Sequence, residues 1–320
     1  MQPSRQRRAL VTGGAGLVGS NLVDDLLATG WEVRSLDDYS AGKAVHLEVA
    51  RTYQDFEEIA ADITDPKAVD TAMEGVDVVF HQAVSKNTIC MTDPNRDLSV
   101  NAGGTLNLLL AGKEHGISKF VHASTGSVYG RTNVFPTTET APLEPVSYYG
   151  VSKLAAERYV HAFHTLHGMN VTILRYYHVF GPRQDEGDDG GVVAIFVRRC
   201  LEGLAPIIYG DGTQIRAFTF VKDVTAINLA AVDNPDSNGR VYNCASDNRV
   251  SIKELADRVI AGLGLEGITP SYEEWRMGDI KHFDIDNHQI KDELKFDFSW
   301  SFGDGLDQTI SYLKTQLLAS

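Results

Sequence analysis

Tyr149 and Lys153 stand four residues apart in the stretch SYYGVSK, residues 147–153. At the start of a helix that spacing puts both on one face, whereas Tyr148, five residues from the lysine, points elsewhere. A free tyrosine has a pKa of about 10 and is a poor base at neutral pH. A nearby ammonium favours the phenolate and lowers that value. The pair therefore reads as an acid/base unit, with Tyr149 carrying the proton and Lys153 activating it. Spacing alone does not separate this from an ordinary tyrosine and lysine on a helix surface.

A second set of residues reads as a phosphate cradle. In RALVTGGAGLVGSNLVDDLLATGWEVRSLDD, Gly13, Gly16 and Gly19 lie between an apolar strand and a helix. Gly13 permits a tight turn, Gly16 lets a pyrophosphate approach the backbone, and Gly19 lets the helix pack closely on the strand. The helix N-terminus, where Leu17 and Val18 follow Gly16, favours the phosphate charge. Asp37, with Asp38 beside it, ends the second strand. A carboxylate there accepts hydrogen bonds from both adenosine ribose hydroxyls and repels a 2′-phosphate, so NAD is favoured over NADP.

The elements that position these residues alternate along the chain. VDVVFHQAV is a buried strand, AGGTLNLLLAGKEHG a helix and KFVHAST a strand; YGVSKLAAERYVHAFHTLHG is a helix and NVTILRYY a strand. Continuous apolar strands alternating with helices predict an α/β fold, a Rossmann-type doubly wound parallel sheet with helices on both faces. After residue 177 the texture changes to a polar loop, GPRQDEGDDGG, and shorter elements: a helix near VVAIFVRRCLEG, a strand PIIYGDG and a helix SIKELADRVIAGLG. The expected division is 1–177 for the cofactor and 178–320 for a smaller mixed α/β substrate domain. Part of the latter, about 217–248, is expected to pack back onto the first. The acidic run DEGDDGG reads as a solvated loop, or as a cover that orders over substrate.

Bulk composition narrows the function. The 320 residues are 43% hydrophobic with a formal net charge of -14. That suffices for a large core, and without a basic block it argues against nucleic-acid binding. No apolar run is long enough for a membrane span, and the basic N-terminus lacks the apolar stretch of a signal peptide. Three scattered cysteines without a CxxC argue against zinc or a disulfide framework and point to the cytoplasm.

TGGAGLVGS, HASTGSVYG and SYYGVSK together resemble the extended short-chain dehydrogenase/reductases, the NAD-dependent nucleotide-sugar epimerases and dehydratases. The resemblance continues through GPRQ, IYGDG and RMGD. It implies a Ser/Thr–Tyr–Lys active site made by Thr125, Tyr149 and Lys153, with Ser124 as the alternative hydroxyl. On the cofactor side it implicates Asp62 and Ile63 at the adenine, Ala83 and Lys86 on the crossing loop, Asn101 near the nicotinamide, and Tyr176. On the substrate side it implicates Lys86, Ser127 and His178, Tyr209 beside the nucleotide base, and Arg216, Arg276 and Asp279 at the pyrophosphate and ribose. Arginine suits phosphate because its planar fork matches the oxygens. The family also implies a homodimer through helices at about 103–115 and 151–167, where Leu106, Leu109, Leu110, Leu154, Val160 and Phe163 form an apolar stripe equally compatible with core packing.

The resemblance implies oxidation at C4 of a UDP-sugar or other NDP-sugar as the shared first step. The 4,6-dehydratases carry an Asp–Glu pair just after the threonine; here Gly126 and Ser127 stand there. That argues for 4-epimerisation, with NAD as a bound catalyst. Other reactions of the same scaffold, and a non-catalytic NAD sensor, are the alternatives. His178 replaces the asparagine of many relatives, which leaves hexoses, N-acetylhexosamines and uronic acids all open. Ala217 follows Arg216 where aspartate is common in relatives, which bears on how that arginine is held.

Overall fold

The computed structural model describes residues 6–85, 87–188, 190–275 and 284–319. Its first half runs β1 (Arg8–Thr12), α1 (Leu17–Ala28), β2 (Glu32–Asp37), β3 (Phe56–Ala60), α2 (Pro66–Met73), β4 (Val78–His81), α3 (Asn87–Thr92), α4 (Pro94–Leu98), α5 (Thr105–His115), β5 (Lys119–Thr125), α6 (Tyr148–His167) and β6 (Val171–Tyr176). The second half runs β7 (Val179–Phe180), α7 (Val192–Leu201), β8 (Ile207–Tyr209), β9 (Ile215–Ala217), β10 (Thr219–Phe220), α8 (Val221–Asp233), β11 (Arg240–Cys244), β12 (Arg249–Ser251), α9 (Ile252–Gly262), β13 (Ser271–Glu273), α10 (His288–Leu294) and α11 (Phe302–Ala319).

Seven strands form one sheet in the order β11-β6-β5-β4-β1-β2-β3, and every pairing in it is parallel. Alternate side chains enter opposite layers, as a pleated strand requires. Ala9, Val11, Phe80 and Val121 meet α1 and α8 through Leu22, Leu26 and Ile227. Leu10, Val79 and Phe120 meet α2, α5 and α6 through Val69, Leu109 and Val160. With both faces covered, the strands read as continuous apolar runs. The chain returns from the β3 edge to place β4 beside β1, so the strand order reverses there. Ligands of such sheets bind in the crevice at the carboxyl ends flanking that reversal.

The segment that follows residue 217 contributes directly to this sheet. β11 pairs with β6 from Arg240↔Thr172 to Cys244↔Tyr176, and α8 packs on α1. A separate core gathers α7, α9 and α11 around Phe180, Phe218, Phe220 and Phe302. Among the described residues no helix is long and apolar enough to cross a membrane.

Local chemistry sets the starts of the helices that matter here. Ser147 caps α6 by accepting from Gly150 N at 3.1 Å, which fixes Tyr149 in the first turn. Asp93 caps α4 by accepting from Arg96 N at 3.0 Å, with Pro94 at the first helical position. Left-handed Gly116 and Gly168 end α5 and α6.

Candidate active site

The glycine loop leaves β1 and turns at Gly13, whose φ of +67° favours glycine. A Cβ on Gly13 would lie 2.7 Å from Ala83 N, and one on Gly19 would lie 2.0 Å from Gly13 O. The first glycine therefore admits the loop after β4, and the last seats α1 against the turn. Gly16 faces the cleft. Two adjoining hollows meet here, sharing Gly13, Gly16, Ala41, Gln82 and Val84. The residues present fit a dinucleotide: a backbone cradle at the N-terminus of α1, with a carboxylate at one end and a tyrosine–lysine pair at the other.

One hollow contains Asp37, Asp38, Asp62, Ile63 and Ala83. Asp37 is 7% exposed; its Oδ2 accepts from Ala15 N at 2.9 Å and its Oδ1 from Tyr39 N at 2.8 Å. Each oxygen keeps a further lone pair for a ribose hydroxyl. Burial raises its pKa, and the two backbone donors pull it back. Asp38 and Asp62 have another partner that the sequence did not suggest. Arg96 bridges them, Nη2 to Asp38 at 3.1 Å and Nη1 to Asp62 at 2.7 Å.

The other hollow contains Leu17, Val18, Gly19, Tyr149, Lys153 and Tyr176. Tyr149 is half-buried and Tyr148 exposed, which settles which tyrosine faces inward. Burial pushes the Tyr149 phenol up to about 12; the neighbouring Thr125 hydroxyl opposes this, while Cys90 and Asp97 add to it. Lys153 is 2% exposed and donates from Nζ to Ala123 O at 2.6 Å. Burial brings it down to about 8, against the opposing charges of Glu157 and Asp97. In the protein alone, burial is the largest influence on both groups.

The two candidate hydroxyls are separated by strand alternation. Ser124 Oγ donates to buried Glu157 Oε1 at 2.5 Å, and Glu157 also holds Arg175. Thr125, on the opposite face of β5, donates to Ser127 Oγ at 3.2 Å and accepts from Ser127 N at 3.2 Å. Asn101 lies behind the loop that bounds the cleft. It is 1% exposed, lies in a wide turn before α5 and lines neither hollow. Its Oδ1 accepts from Ser85 N at 2.9 Å, while Nδ2 donates to Asp97 at 2.7 Å and to Ser152 Oγ at 3.0 Å. It braces the loop that bounds the cleft.

The substrate-side candidates lie beyond these hollows. His178 follows β6 with φ +39°, and its ring stands edge-on to Phe218 at 5.9 Å. Burial, aided by the Arg216 charge, lowers it to about 3, so it is a neutral donor or acceptor. Arg216, in β9, is 8% exposed and donates to Ile215 O at 2.9 Å. Tyr209 ends β8, and its carbonyl accepts from Gln214 Nε2 at 2.8 Å. Lys86, Arg276 and Asp279 lie outside the described residues. The acidic loop is anchored at two points, Glu186 to Lys43 at 2.8 Å and Asp188 to Arg198 at 2.6 Å. Asp185, Gly190 and Gly191 border the cleft.

Sequence reasoning missed Arg96, Lys43, His46, Gln82 and Arg183, all of which border the two hollows. Each comes from a loop or helix with no motif of its own. The Asp-Pro start of α4 was the available signal for Arg96. The apolar stripe on α5 and α6 is also revised: Leu109, Val160 and Phe163 belong to the core, while Leu110 is exposed.

A doubly wound sheet with a glycine cradle, a carboxylate at the end of β2 and a tyrosine–lysine pair in the cleft is the arrangement of a dinucleotide-dependent enzyme of the short-chain dehydrogenase type. A family model described as the NAD dependent epimerase/dehydratase family matches residues 9–245, and the chain belongs to that family. NAD is its cofactor. The chain is 34% identical over 312 residues to the UDP-glucose 4-epimerase of Mycolicibacterium smegmatis, covering 97% of this chain and 99% of that one. It is 31% identical over 309 residues to the dTDP-glucose 4,6-dehydratase of Streptomyces griseus, covering 95% and 93%. The crystal structure of the Thermotoga maritima UDP-glucose 4-epimerase with UDP-glucose matches with a TM-score of 0.91 and 33% identity, covering 97% of this chain and 99% of that one.

Proposed function

We propose that this protein is a UDP-hexose 4-epimerase, with UDP-glucose and UDP-galactose as its pair of substrates. Gly126 carries the choice over dehydration. Dehydration needs a carboxylic acid at that position to expel water, and a Cβ there would lie 2.1 Å from the Tyr177 ring. Tyr177 is 3% exposed and donates to Asn243 at 3.0 Å, so it is not free to swing away. The similarity to two proteins named UDP-glucose 4-epimerase supports the same reading and the choice of sugar.

In this reading Asp37 binds the adenosine ribose, and the glycine loop with the α1 N-terminus binds the pyrophosphate. Bound NAD supplies a reversible hydride acceptor at C4 of the sugar. Tyr149 takes the C4 hydroxyl proton and later gives it back, with Thr125 aligning that hydroxyl. Lys153 keeps positive charge beneath the phenol and so favours its ionised form. Between the two proton transfers the 4-keto sugar turns over, so hydrogen returns to the opposite face. Arg216, with Tyr209 and His178, holds the nucleotide and diphosphate; Arg276 and Asp279 are assigned to the same task. The enzyme acts as a homodimer in the cytoplasm, through the exposed apolar face of α5 and α6.

Proton NMR with NAD and UDP-glucose, UDP-GlcNAc or UDP-glucuronate in separate tubes tests this. The UDP-galactose anomeric signal should grow to an equilibrium mixture in the first tube. A released 4-keto product absorbing in alkali would identify a dehydratase. Loss of carbon dioxide from the uronate would identify a decarboxylase. Retained NAD with all three sugars unchanged would favour a sensor.

A further inference from the structure

Asp97 lies one residue before the end of the short helix α4, which packs against α6 behind the cleft. It is 2% exposed and lines neither hollow. Its Oδ1 accepts from the Cys90 thiol at 2.7 Å and from Asn101 Nδ2 at 2.7 Å. The same amide reaches Ser152, the residue before Lys153, at 3.0 Å. Among the described residues Asp97 forms no ion pair. A buried carboxylate held only by neutral donors is costly unless an opposite charge lies within reach of its field.

The groups around the Tyr149–Lys153 pair show where that opposite charge is. On α6, Glu157 is already engaged by Arg175 of β6 and by Ser124 of β5. On β4, His81 is held neutral. Thr105 Oγ gives its hydrogen to Asn101 O at 2.6 Å and so accepts from His81 Nε2, while Nδ1 faces Thr12 Oγ at 2.8 Å. On β5, His122 is fully buried with neither ring nitrogen hydrogen-bonded, and burial keeps it neutral. Tyr176 of β6 is a phenol held far above its usual pKa by burial. On α3, the Cys90 thiol is pushed up to about 12, first by burial and then by Asp97. Two buried carboxylates therefore support the Lys153 ammonium: Glu157 first, which is shared with Arg175, and then Asp97, which among the described residues has no ion pair.

We propose that Asp97 is a positioning residue for the Tyr149–Lys153 pair: its charge, fixed behind the cleft by Cys90 and Asn101, keeps Lys153 an ammonium despite burial. The catalytic meaning of this rests on the epimerase reading; the electrostatic coupling does not. The field has a second effect, because Asp97 also opposes ionisation of Tyr149. Removing the charge therefore lowers the proton affinity of both groups.

The test is an NMR titration of lysine Cε resonances in the NAD-loaded protein, comparing native with Asp97→Asn. The Lys153 signal is the one lost in Lys153→Arg. Lys119, at the far end of β5, is an internal control: burial also brings it to about 8, and it donates to Ser237 Oγ at 2.7 Å. The expected result is a fall in the Lys153 midpoint of about half a unit or more, with Lys119 unmoved. A Lys153 midpoint that stays or rises overturns the proposal. So does a parallel shift of both lysines, which would mark a general loosening. Asp97→Ser, whose hydroxyl still accepts from Asn101, gives the same reading where Asn does not fold. A shifted Lys153 in a protein that epimerises no sugar would uphold the coupling and remove only the proposed function. In an active epimerase the alkaline limb of kcat must move down by the same amount as the NMR midpoint; an unmoved limb counts against the proposal.

Discussion

Lys153 lies one helical turn beyond Tyr149 on α6, and its ammonium is bound to the Ala123 carbonyl at 2.6 Å. In the proposed function it acts on the phenol as a nearby charge held in place by the end of β5. Tyr149 stands at about 12 and Lys153 at about 8 in the protein alone. The useful state, phenolate above ammonium, gains phenolate as pH rises and loses ammonium as pH passes about 8. The expected kcat profile climbs through neutrality and bends over on the alkaline side. Lys153→Arg, which stays charged, should lack that alkaline bend in whatever activity it keeps. An unchanged bend in this variant would assign it to another group. Tyr149→Phe should lower turnover at least ~10²-fold with NAD still bound.

Asp37 accepts from the backbone at Ala15 N and Tyr39 N, and the proposed function gives it a second task at the cofactor ribose. Asp37→Ala removes the ribose acceptor and frees Ala15 N and Tyr39 N; Asp37→Asn keeps an acceptor for the backbone but loses the charge. Both should weaken NAD by about 10- to 100-fold, as loss of charged hydrogen bonds implies. Affinity for the sugar nucleotide should change little, since Asp37 borders only the hollow that lacks Tyr149 and Lys153. Calorimetry on each ligand separately decides this; equal losses would return Asp37 to a purely structural role.

The buried Arg175–Glu157 pair predicts a large stability effect away from solvent. The two side chains are 3% and 5% exposed and meet at 2.8 Å, and Arg175 also donates to Tyr129 Oη at 2.6 Å. Glu157→Gln leaves a guanidinium buried without its counter-charge, which should destabilise the fold by about 3–5 kcal/mol. The exposed pairs Lys253–Asp257 and Arg258–Glu254 on α9 should contribute far less, because solvent screens them. Urea denaturation of E157Q beside D257N and E254Q compares the two regimes directly.

These contrasts mark what a sequence carries and what it leaves out. KFVHAST and NVTILRYY were legible as β5 and β6 because continuous apolar runs specify buried parallel strands. Gly13 and Gly19 were legible because close backbone approach excludes other residues. Arg96, Asp97 and Cys90 were not, because their roles arise from where α3 and α4 are carried by the chain between β4 and α5. β11 was missed for a similar reason: RVYNC mixes polar and apolar residues, and its strand state is fixed by pairing with β6.

The surface of α6 carries the last expectation. Tyr148, Val151, Tyr159 and Leu166 are all exposed, Leu166 at 74%. At 100° per residue they fall within about 80° of arc on that helix, and the core residue Val160 points about 140° from the middle of that arc. Exposed Leu110 on the neighbouring α5 adds to the apolar surface. The family resemblance implies a helix-bundle homodimer here, and a two-fold interface would bury the same stripe on both copies. Native protein should sediment as a dimer, and Tyr159→Asp with Leu166→Asp should give a folded monomer that still binds NAD. A native protein that sediments as a monomer at micromolar concentration would remove the dimer from this reading. A doubly substituted protein that stays dimeric would move the interface to another face.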